Sequence, residues 1–307
     1  MKTKTKRRLW RYGKTASLAL LLGVPALFGA GAWWNQVHPP PGASWVEDCS
    51  GQPTTPTEPC GELRLVTFNV QDVPFCSGDR TGRMKAIASA LIALSPDVVG
   101  FQEVWMAADR RLLAEELAKG GLPHHWYAAS GLGGSGLLTV SRHPIVRRGF
   151  MRFRQSVPWY VDFSRPDWWG AKGISFTTVD CGALGHVDFF NTHLQAPYRD
   201  RPWVGVRVSQ LADAASFIGG VHRSSLPCAL CGDFNTRFDT GEEDAELKKM
   251  PLLPLLPPAS GVDQVLAFHG PPWTWRVLET QSISKPFPNA LSDHLGWLCR
   301  VELRRAK

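Results

Sequence analysis

Five hydrophobic runs in this sequence meet, at one end, a side chain that carries an amide, a carboxylate or an imidazole. The polar residues at these five places are Asn69, Glu103, His193, Asp233 with Asn235, and Asp293 with His294. Short apolar runs of about four to eight residues are typical of buried strands. One polar residue at a strand end is ordinary, but five such places that use only Asn, Asp, Glu and His indicate a shared rim of one sheet or sandwich.

Helical and strand patterns are interspersed along the chain. Apolar residues recur at helical spacing over 83–94, 107–119 and 207–218, which predicts three helices. The predicted strands cover 63–70, 97–105, 136–142, 172–180, 186–194, 227–235, 262–268 and 295–303. Many strands with several helices between them predict a domain of the α/β or α+β class.

Composition divides the chain into three parts. Residues 1–34 combine a basic start with an apolar run, and residues 35–61 are rich in Pro, Gly, Ser and Thr. The middle part has the composition of a linker. No similar break occurs over 62–307, so we predict one catalytic domain there.

The first part has the composition of an export segment. Seven Lys and Arg residues lie within the first fourteen positions, and no charged residue follows between Lys14 and Glu47. A basic start before an apolar stretch is typical of a signal peptide, with Ala30-Gly31-Ala32 as a cleavage site. The run is also long enough to be a transmembrane anchor across a bilayer of ~30 Å. Both alternatives place the folded domain outside the cytoplasm.

The formal net charge of +7 belongs to this N-terminal part. Without its seven basic residues, 27 basic residues face 27 acidic residues, and the remainder of the chain is neutral. A neutral domain lacks the overall positive field that holds a nucleic-acid backbone. The charge pattern therefore gives no strong indication of a nucleic-acid partner, and it leaves open a local basic patch.

Seven cysteines fit an oxidising compartment. Cys49 and Cys60 flank the Pro- and Thr-rich stretch, where a disulfide would fix a loop. Cys228 and Cys231 form C-x-x-C, a spacing also found in zinc and redox sites. They lie in an apolar run with strand character, in which residues three apart point to opposite faces. We therefore interpret them as two buried small side chains.

The residue types at the strand ends suit the hydrolysis of a phosphate ester. A phosphodiester is an anion that repels nucleophiles, and a cation on its oxygens offsets that repulsion. Carboxylate and amide oxygens favour a hard ion such as Mg²⁺, with Mn²⁺ as the alternative, whereas zinc would require clustered Cys and His. A histidine held by a carboxylate can take a proton from the attacking water.

Five motifs resemble the endonuclease/exonuclease/phosphatase superfamily in sequence and in order. They are TFN at 67–69, QEVW at 102–105, NTHLQA at 191–196, GDFN at 232–235 and SDH at 292–294. Three segments are similar to the neutral sphingomyelinase branch: the glycine-rich stretch 130–145, DWWGAKG at 167–173, and the continuation of NTHLQA into 206–218. The resemblance implies a four-layer αββα sandwich with the active site at one rim.

The resemblance also implies roles for individual residues. The residues assigned to catalysis are His294, His193, Asp233, Asn235 and Asp263, those assigned to the metal are Glu103, Asn69 and Asp293, and those assigned to the substrate are Lys172 and Trp169. Within this set, His294 corresponds to the general base and Asp263 to the carboxylate that orients it. His193 corresponds to a donor toward the phosphoryl group, and Asp293 is either a neighbour of the base or part of the metal's surroundings.

These implications and the export composition predict an Mg²⁺-dependent phosphodiesterase that acts at a phospholipid membrane surface. The predicted substrate is a choline phospholipid, sphingomyelin first, and the products are phosphocholine and ceramide. Aromatic residues in loop-like segments, such as Trp168 and Trp169, fit a choline site or insertion into a membrane interface, and core packing is the alternative. An exported DNase-like nuclease shares every catalytic motif and is the second hypothesis. A catalytically silent, membrane-tethered binding protein is the third.

Overall fold

The structure is a computed structural model. It describes residues 38–49, 60–73, 79–157, 170–198, 203–238, 241–284 and 290–306, together with positions 27, 29–31 and 34. Most of the apolar N-terminal run lies outside these residues, as do Trp168 and the predicted substrate residue Trp169. Among the residues that are described, no helix combines the length and the apolar character needed to cross a bilayer.

From residue 38 onward, the described ranges contain thirteen strands and four α-helices. In chain order the strands are β1 (Ser44–Asp48), β2 (Cys60–Asn69), β3 (Val98–Gln102), β4 (His124–Tyr127), β5 (Leu138–Ser141), β6 (Ile145–Arg152), β7 (Gly173–Asp180), β8 (His186–His193), β9 (Cys228–Asp233), β10 (Leu252–Pro254), β11 (Asp263–Phe268), β12 (Trp273–Ile283) and β13 (Gly296–Arg305). The helices are α1 (Arg80–Leu94), α2 (Ala107–Lys119), α3 (Val204–Val221) and α4 (Glu242–Leu247).

The strands form two mixed sheets. One has seven strands in the order β1-β6-β7-β8-β9-β11-β10, and the other has six in the order β12-β13-β2-β3-β5-β4. Each sheet contains one central parallel pair, β8 with β9 in the first and β2 with β3 in the second. β3, β8 and β9 are wholly buried, and so is the second half of β2, because both of their faces are covered there. This burial explains their nearly continuous hydrophobic sequences.

Three hydrophobic clusters define four layers. Leu65 and Val98 of one sheet pack against Phe189 and Cys231 of the other in a cluster between the sheets. A second cluster joins α1 and α2 to the outer face of the six-stranded sheet, and a third joins α3 to the outer face of the seven-stranded sheet. The predicted αββα sandwich is therefore confirmed.

The buried face of α1 follows directly from its sequence. Met84, Ile87, Ala88 and Leu91 recur at helical spacing and are fully or almost fully buried. Asp79 caps the first turn, because its carboxylate accepts a hydrogen bond from the Gly82 amide. The helix is thus held firmly at its start and along one face.

The two halves of the C-x-x-C motif face different layers, as predicted. Cys231 belongs to the cluster between the sheets, whereas Cys228 belongs to the cluster beneath α3. Both thiols are free and buried, and burial raises the pKa of each. Cys49 and Cys60 are exposed and free, so the disulfide considered between them is not formed.

Part of the predicted linker contributes to the sheet. Residues Ser44–Asp48 pair with β6 in antiparallel register, from Ser44 opposite Met151 to Asp48 opposite Arg147. All five residues of β1 are exposed, so this edge strand lacks the alternation by which half-buried strands are recognised in a sequence. The sequence therefore predicts a linker where the structure has a strand.

Candidate active site

Four central strands deliver their C-terminal ends to one place. In the parallel pairs, Asn69 lies opposite Gln102 and His193 lies opposite Asp233. Glu103 follows β3 directly. The β2–β3 pair therefore ends in the amide of Asn69 and the carboxylate of Glu103, and the β8–β9 pair ends in the imidazole of His193 and the carboxylate of Asp233. The polar strand ends therefore share one rim, as the sequence predicts.

The side chain of Asn69 connects the two sheets at this rim. Its Nδ2 donates to Oε1 of Glu103 at 3.0 Å and to Oδ2 of Asp233 at 2.9 Å. Asn69 and Asp233 are buried, and 164 positions separate them in the chain. One amide group thus holds two carboxylates near each other.

The backbone turns sharply where the site residues lie. Gln71, Glu103 and Asn235 all adopt positive φ values, of 47°, 58° and 52°. Non-glycine residues are uncommon in this region, and where they cluster the surrounding structure must hold them in place. Here the Asp72 amide donates to the carbonyl of Glu103, and the Asn235 amide donates to the carboxylate of Asp233.

Glu103, His193 and Asp233 form a set that fits a divalent cation. One ligand atom from each lies within 4.8 Å of the other two, and the same is true of Asp233, Asp263 and His294. The first set offers two carboxylates and one imidazole, and Asn69 already brings the two carboxylates together. Carboxylate oxygens at this spacing are the ligands that hard divalent ions prefer.

His294 and Asp263 form the pair expected of a base and its orienting carboxylate. Nδ1 of His294 lies 2.8 Å from Oδ2 of Asp263, and Nε2 lies 3.7 Å from Oδ2 of Asp233. Burial opposes a positive charge on His294, but the hydrogen bond that its ring donates to Asp263 and the charge of Asp233 outweigh burial and raise the pKa to about 9. Burial also raises the pKa of Asp263 and that of Asp233.

His193 has the opposite electrostatic character. Burial, together with the charges of Lys172 and His294, lowers its pKa well below the ordinary value, so the ring is neutral. Its Nε2 lies 3.4 Å from Oδ2 of Asp233 and 3.9 Å from Oε1 of Glu103. Two histidines near one carboxylate therefore have separate protonation states at neutral pH.

The other predicted site residues lie around this centre. Lys172 is buried and donates to the carbonyl of Leu194 at 2.6 Å, and Nδ2 of Asn235 donates to the same carbonyl at 3.1 Å. The carboxylate of Asp293 accepts a hydrogen bond from Nε2 of Gln71 at 2.7 Å. Asp293 belongs to neither of the two sets of three residues that fit a cation. The structure thus brings every predicted site residue that it describes to the same rim, and Trp169 lies outside the described residues.

Two residues near the site are not anticipated by the sequence. Gln71 contacts Asp293, 222 positions away, and Arg83 donates to backbone carbonyls on two segments of the site. Neither residue lies in one of the five motifs. Gln71 follows the predicted strand 63–70 and Arg83 begins the predicted helix 83–94, and neither position indicates a contact with the site.

Comparisons with known proteins agree with this geometry. The sequence profile of the Endonuclease/Exonuclease/phosphatase family matches residues 66–294. A candidate neutral sphingomyelinase of Drosophila melanogaster is 35% identical over 179 residues, which cover 57% of this chain and 40% of that protein. The chain thus spans about 40% of the length of the curated relatives it matches.

Solved structures share the fold at low sequence identity. Sphingomyelinase C from Streptomyces griseocarneus has a TM-score of 0.62 and 20% identity, over 80% of this chain and 100% of that one. The beta toxin of Staphylococcus aureus, in a structure with bound magnesium ions, has a TM-score of 0.57 and 16% identity, over 80% and 100% of the two chains. The fold, the shared rim and the extent of the profile match lead to one assignment: this chain belongs to the endonuclease/exonuclease/phosphatase family.

Proposed function

We propose that the protein is a metal-dependent phosphodiesterase that hydrolyses a choline phospholipid, with sphingomyelin as the main substrate, to phosphocholine and ceramide. The observation that carries the phosphodiesterase part is the meeting of Glu103, Asp233 and the His294–Asp263 pair at one rim. The lipid part is supported by the names of several relatives, which are neutral sphingomyelinases or sphingomyelin phosphodiesterases, while two others are inositol phosphosphingolipids phospholipases C.

Glu103, Asp233 and Asn69 are the residues that would hold the cation, with Mg²⁺ first and Mn²⁺ as the alternative. The magnesium ions in the beta toxin structure support this choice of ion. When bound, the cation supplies positive charge to the phosphoryl oxygens. The residues of the chain supply the general base and the donors to the phosphoryl oxygens.

His294 removes the proton from the attacking water. The neutral form of His294, which becomes populated as pH rises toward its pKa of about 9, acts as the base. In that form Nδ1 donates to Asp263, and Nε2 is unprotonated and turned toward Asp233. As the proton moves to Nε2, the water oxygen bonds to phosphorus and the bond from phosphorus to the lipid oxygen breaks. That oxygen takes a proton from solvent. Neutral His193 and the Asn235 amide group stabilise the phosphoryl oxygens.

The test of this function compares lipid and nucleic-acid substrates. Purified protein is incubated with sphingomyelin vesicles and, separately, with supercoiled plasmid, each with Mg²⁺ or with a chelator. We expect phosphocholine release that requires Mg²⁺ and no nicking of the plasmid. Nicking without phosphocholine release would support the nuclease instead, and inactivity on both substrates would support a binding protein.

The pH dependence of turnover should respond to Asp263. A general base works in its neutral form, so activity rises as pH increases through the pKa of His294. Asp263 raises that pKa, so Asp263→Asn should shift the rising limb of the kcat profile to lower pH. We also expect the plateau to fall about 10- to 100-fold, because the imidazole loses its orienting partner. A profile unchanged in position would contradict the pairing.

We further propose that the rim faces a phospholipid membrane, to which the basic and apolar N-terminal part directs the exported domain. The chain enters the fold at this rim, where the His38 carbonyl accepts from the Gly131 amide and the Pro39 carbonyl accepts from Arg152. Leu132, in the hairpin loop, and Leu295, beside His294, are exposed at the same rim, at 50% and 43%. Exposed apolar side chains around a polar site suit a lipid interface.

Leu132→Ser should weaken membrane binding by about 3- to 10-fold, since the leucine would lose part of its transfer free energy. Sedimentation with sphingomyelin vesicles measures the binding. The protein used starts at residue 35, so that membrane binding by the apolar N-terminal run cannot mask the loss. The matched control is Leu253→Ser, because Leu253 is similarly exposed, at 38%, on the edge strand β10. Equal binding by both variants would contradict docking through this rim.

A further inference from the structure

A single arginine of α1 connects two segments that carry site residues. Nη1 of Arg83 donates to the carbonyl oxygen of Val70 and, at 2.9 Å, to that of Leu291, while Nη2 donates to the carbonyl oxygen of Gln71 at 3.0 Å. Val70 and Gln71 directly follow Asn69, and Leu291 lies three positions before His294. One guanidinium group therefore contacts the backbone on both sides of the site.

Smaller contacts join the same two segments. Ser292 Oγ donates to the carbonyl of Asn69 at 2.7 Å, and Gln71 Nε2 donates to Asp293 at 2.7 Å. The His294 amide in turn donates to Ser292 Oγ at 3.2 Å. These contacts hold the segments to each other, but none of them holds the pair to the helical layer.

Arg83 connects both segments to α1, whereas Arg80 of the same helix contacts only the first of them, through the carboxylate of Asp72 at 3.0 Å. The helix is fixed to the six-stranded sheet through Met84, Ile87, Ala88 and Leu91, which are buried in the cluster beneath it. Arg83 itself is half-buried, directly beside Met84 in the sequence. Its guanidinium therefore ties the two segments to a rigid element of the fold.

The chemistry of the contact requires arginine. A guanidinium group is planar and presents several N–H donors in a fixed fork, so it can satisfy three carbonyls at once. A lysine ammonium is a compact point charge on a flexible stem, and it cannot reproduce that arrangement. The three carbonyls belong to Val70, Gln71 and Leu291, none of which is assigned to the cation or to proton transfer. Arg83 therefore acts on the reaction only through the position of other groups.

We propose that Arg83 is a positioning residue, which fixes the segment of His294 against the segment of Asn69 so that the imidazole and the metal-binding carboxylates keep their mutual distances. The effect on turnover rests on the phosphodiesterase function proposed above. The effect on the conformation of the two segments does not depend on that function.

The test uses the full chain with Arg83→Lys and Arg83→Ala, beside Lys85→Ala as the matched control. Lys85 is a basic residue of the same helix that is exposed. Hydrogen exchange followed by mass spectrometry gives the conformational result. We expect amides over 69–72 and 290–296 to exchange at least about 10-fold faster in both Arg83 variants, while amides in the buried turns of α1 keep their rates. Lys85→Ala should match the unsubstituted protein.

Kinetics give the second result. We expect kcat for phosphocholine release to fall about 10- to 100-fold in Arg83→Lys, with KM within about 2-fold, because small displacements of reacting groups cost this much. Millimolar guanidinium ion should raise the kcat of Arg83→Ala by at least about 5-fold, and it should not raise the kcat of Lys85→Ala.

Several outcomes would overturn the proposal. The first is unchanged hydrogen exchange over both segments in both Arg83 variants. The second is a uniform rise in exchange across the whole domain, because that would mean a general structural role for Arg83. A loss of kcat that guanidinium does not restore, without local change in exchange, is a third. If the unsubstituted protein hydrolyses no lipid, the proposed function fails, and the exchange experiment still decides the role of Arg83.

Discussion

Replacing His294 with alanine should lower kcat for phosphocholine release by about 10³-fold, within the range that general-base catalysis supplies. The variant lacks the Nε2 acceptor that lies 3.7 Å from Asp233 and the Nδ1 group that Asp263 holds at 2.8 Å. The imidazole is partly exposed, with 22% of the side chain accessible, so its removal should leave the fold intact. Steady-state rates on sphingomyelin vesicles at saturating Mg²⁺ measure the effect.

A second histidine–aspartate pair provides the matched control. Nδ1 of His222 lies 2.9 Å from Oδ2 of Asp188, at the C-terminal end of α3 and the start of β8. This end of β8 is opposite the one that carries His193. His222→Gln should therefore retain nearly full activity. A comparable loss in both variants, or near-normal turnover in His294→Ala, would refute the assigned role of His294.

Glu103→Gln should raise the Mg²⁺ concentration for half-maximal activity by at least about 10²-fold. Substitution of residues that only hydrogen-bond to a metal ligand already lowers metal affinity or activity by ~10–100-fold. Loss of a ligand itself should therefore have an effect at the upper end of that range or beyond it. Glutamine keeps the size of the side chain and an oxygen that can accept from Nδ2 of Asn69, which now lies 3.0 Å from Oε1. The substitution thus removes charge with little change in shape, and a titration of activity against Mg²⁺ measures the result.

Glu279→Gln is the corresponding control. Glu279 is an exposed carboxylate on β12 that contacts Arg300, and exposed ion pairs contribute little to stability. Its loss should leave the Mg²⁺ dependence unchanged. An unchanged Mg²⁺ requirement in Glu103→Gln would mean that the cation is held elsewhere.

The strands that position the site are predictable because they are buried on both faces. Segments such as 97–105 and 186–194 are nearly continuous hydrophobic runs, and each ends at a polar residue. The structure places β3 and β8 within them. At the end of such a strand the sequence changes from apolar to polar, so the same polar residue indicates both where the strand ends and where the rim begins.

The strands that the sequence does not predict are exposed or interrupted by charge. The sequence of β12 alternates buried and exposed residues only at its start, and most of its later positions are exposed. Two arginines and a glycine interrupt β6. Such strands owe their existence to pairing with other strands, as β6 does with β1, where Ser44 lies opposite Met151, and a local pattern cannot reveal that.

The contacts that make the site work are likewise non-local. The resemblance implies roles for Asn69 and Asp233, but the hydrogen bond between them spans 164 positions. The positive φ of Glu103 has no sequence mark either, because glycine is the residue that usually indicates this conformation. Sequence patterns thus give the residue types at the rim, whereas the distances between them come only from the packing of the two sheets.

The claim on which this account depends is that one divalent cation is bound where the two sheets meet at the rim. Crystals grown with Mn²⁺ would show its position directly by anomalous scattering. The account predicts a single strong peak in contact with the carboxylate of Glu103 and within a few ångströms of Asp233. A peak elsewhere, with no cation in contact with the Glu103 carboxylate, would contradict it.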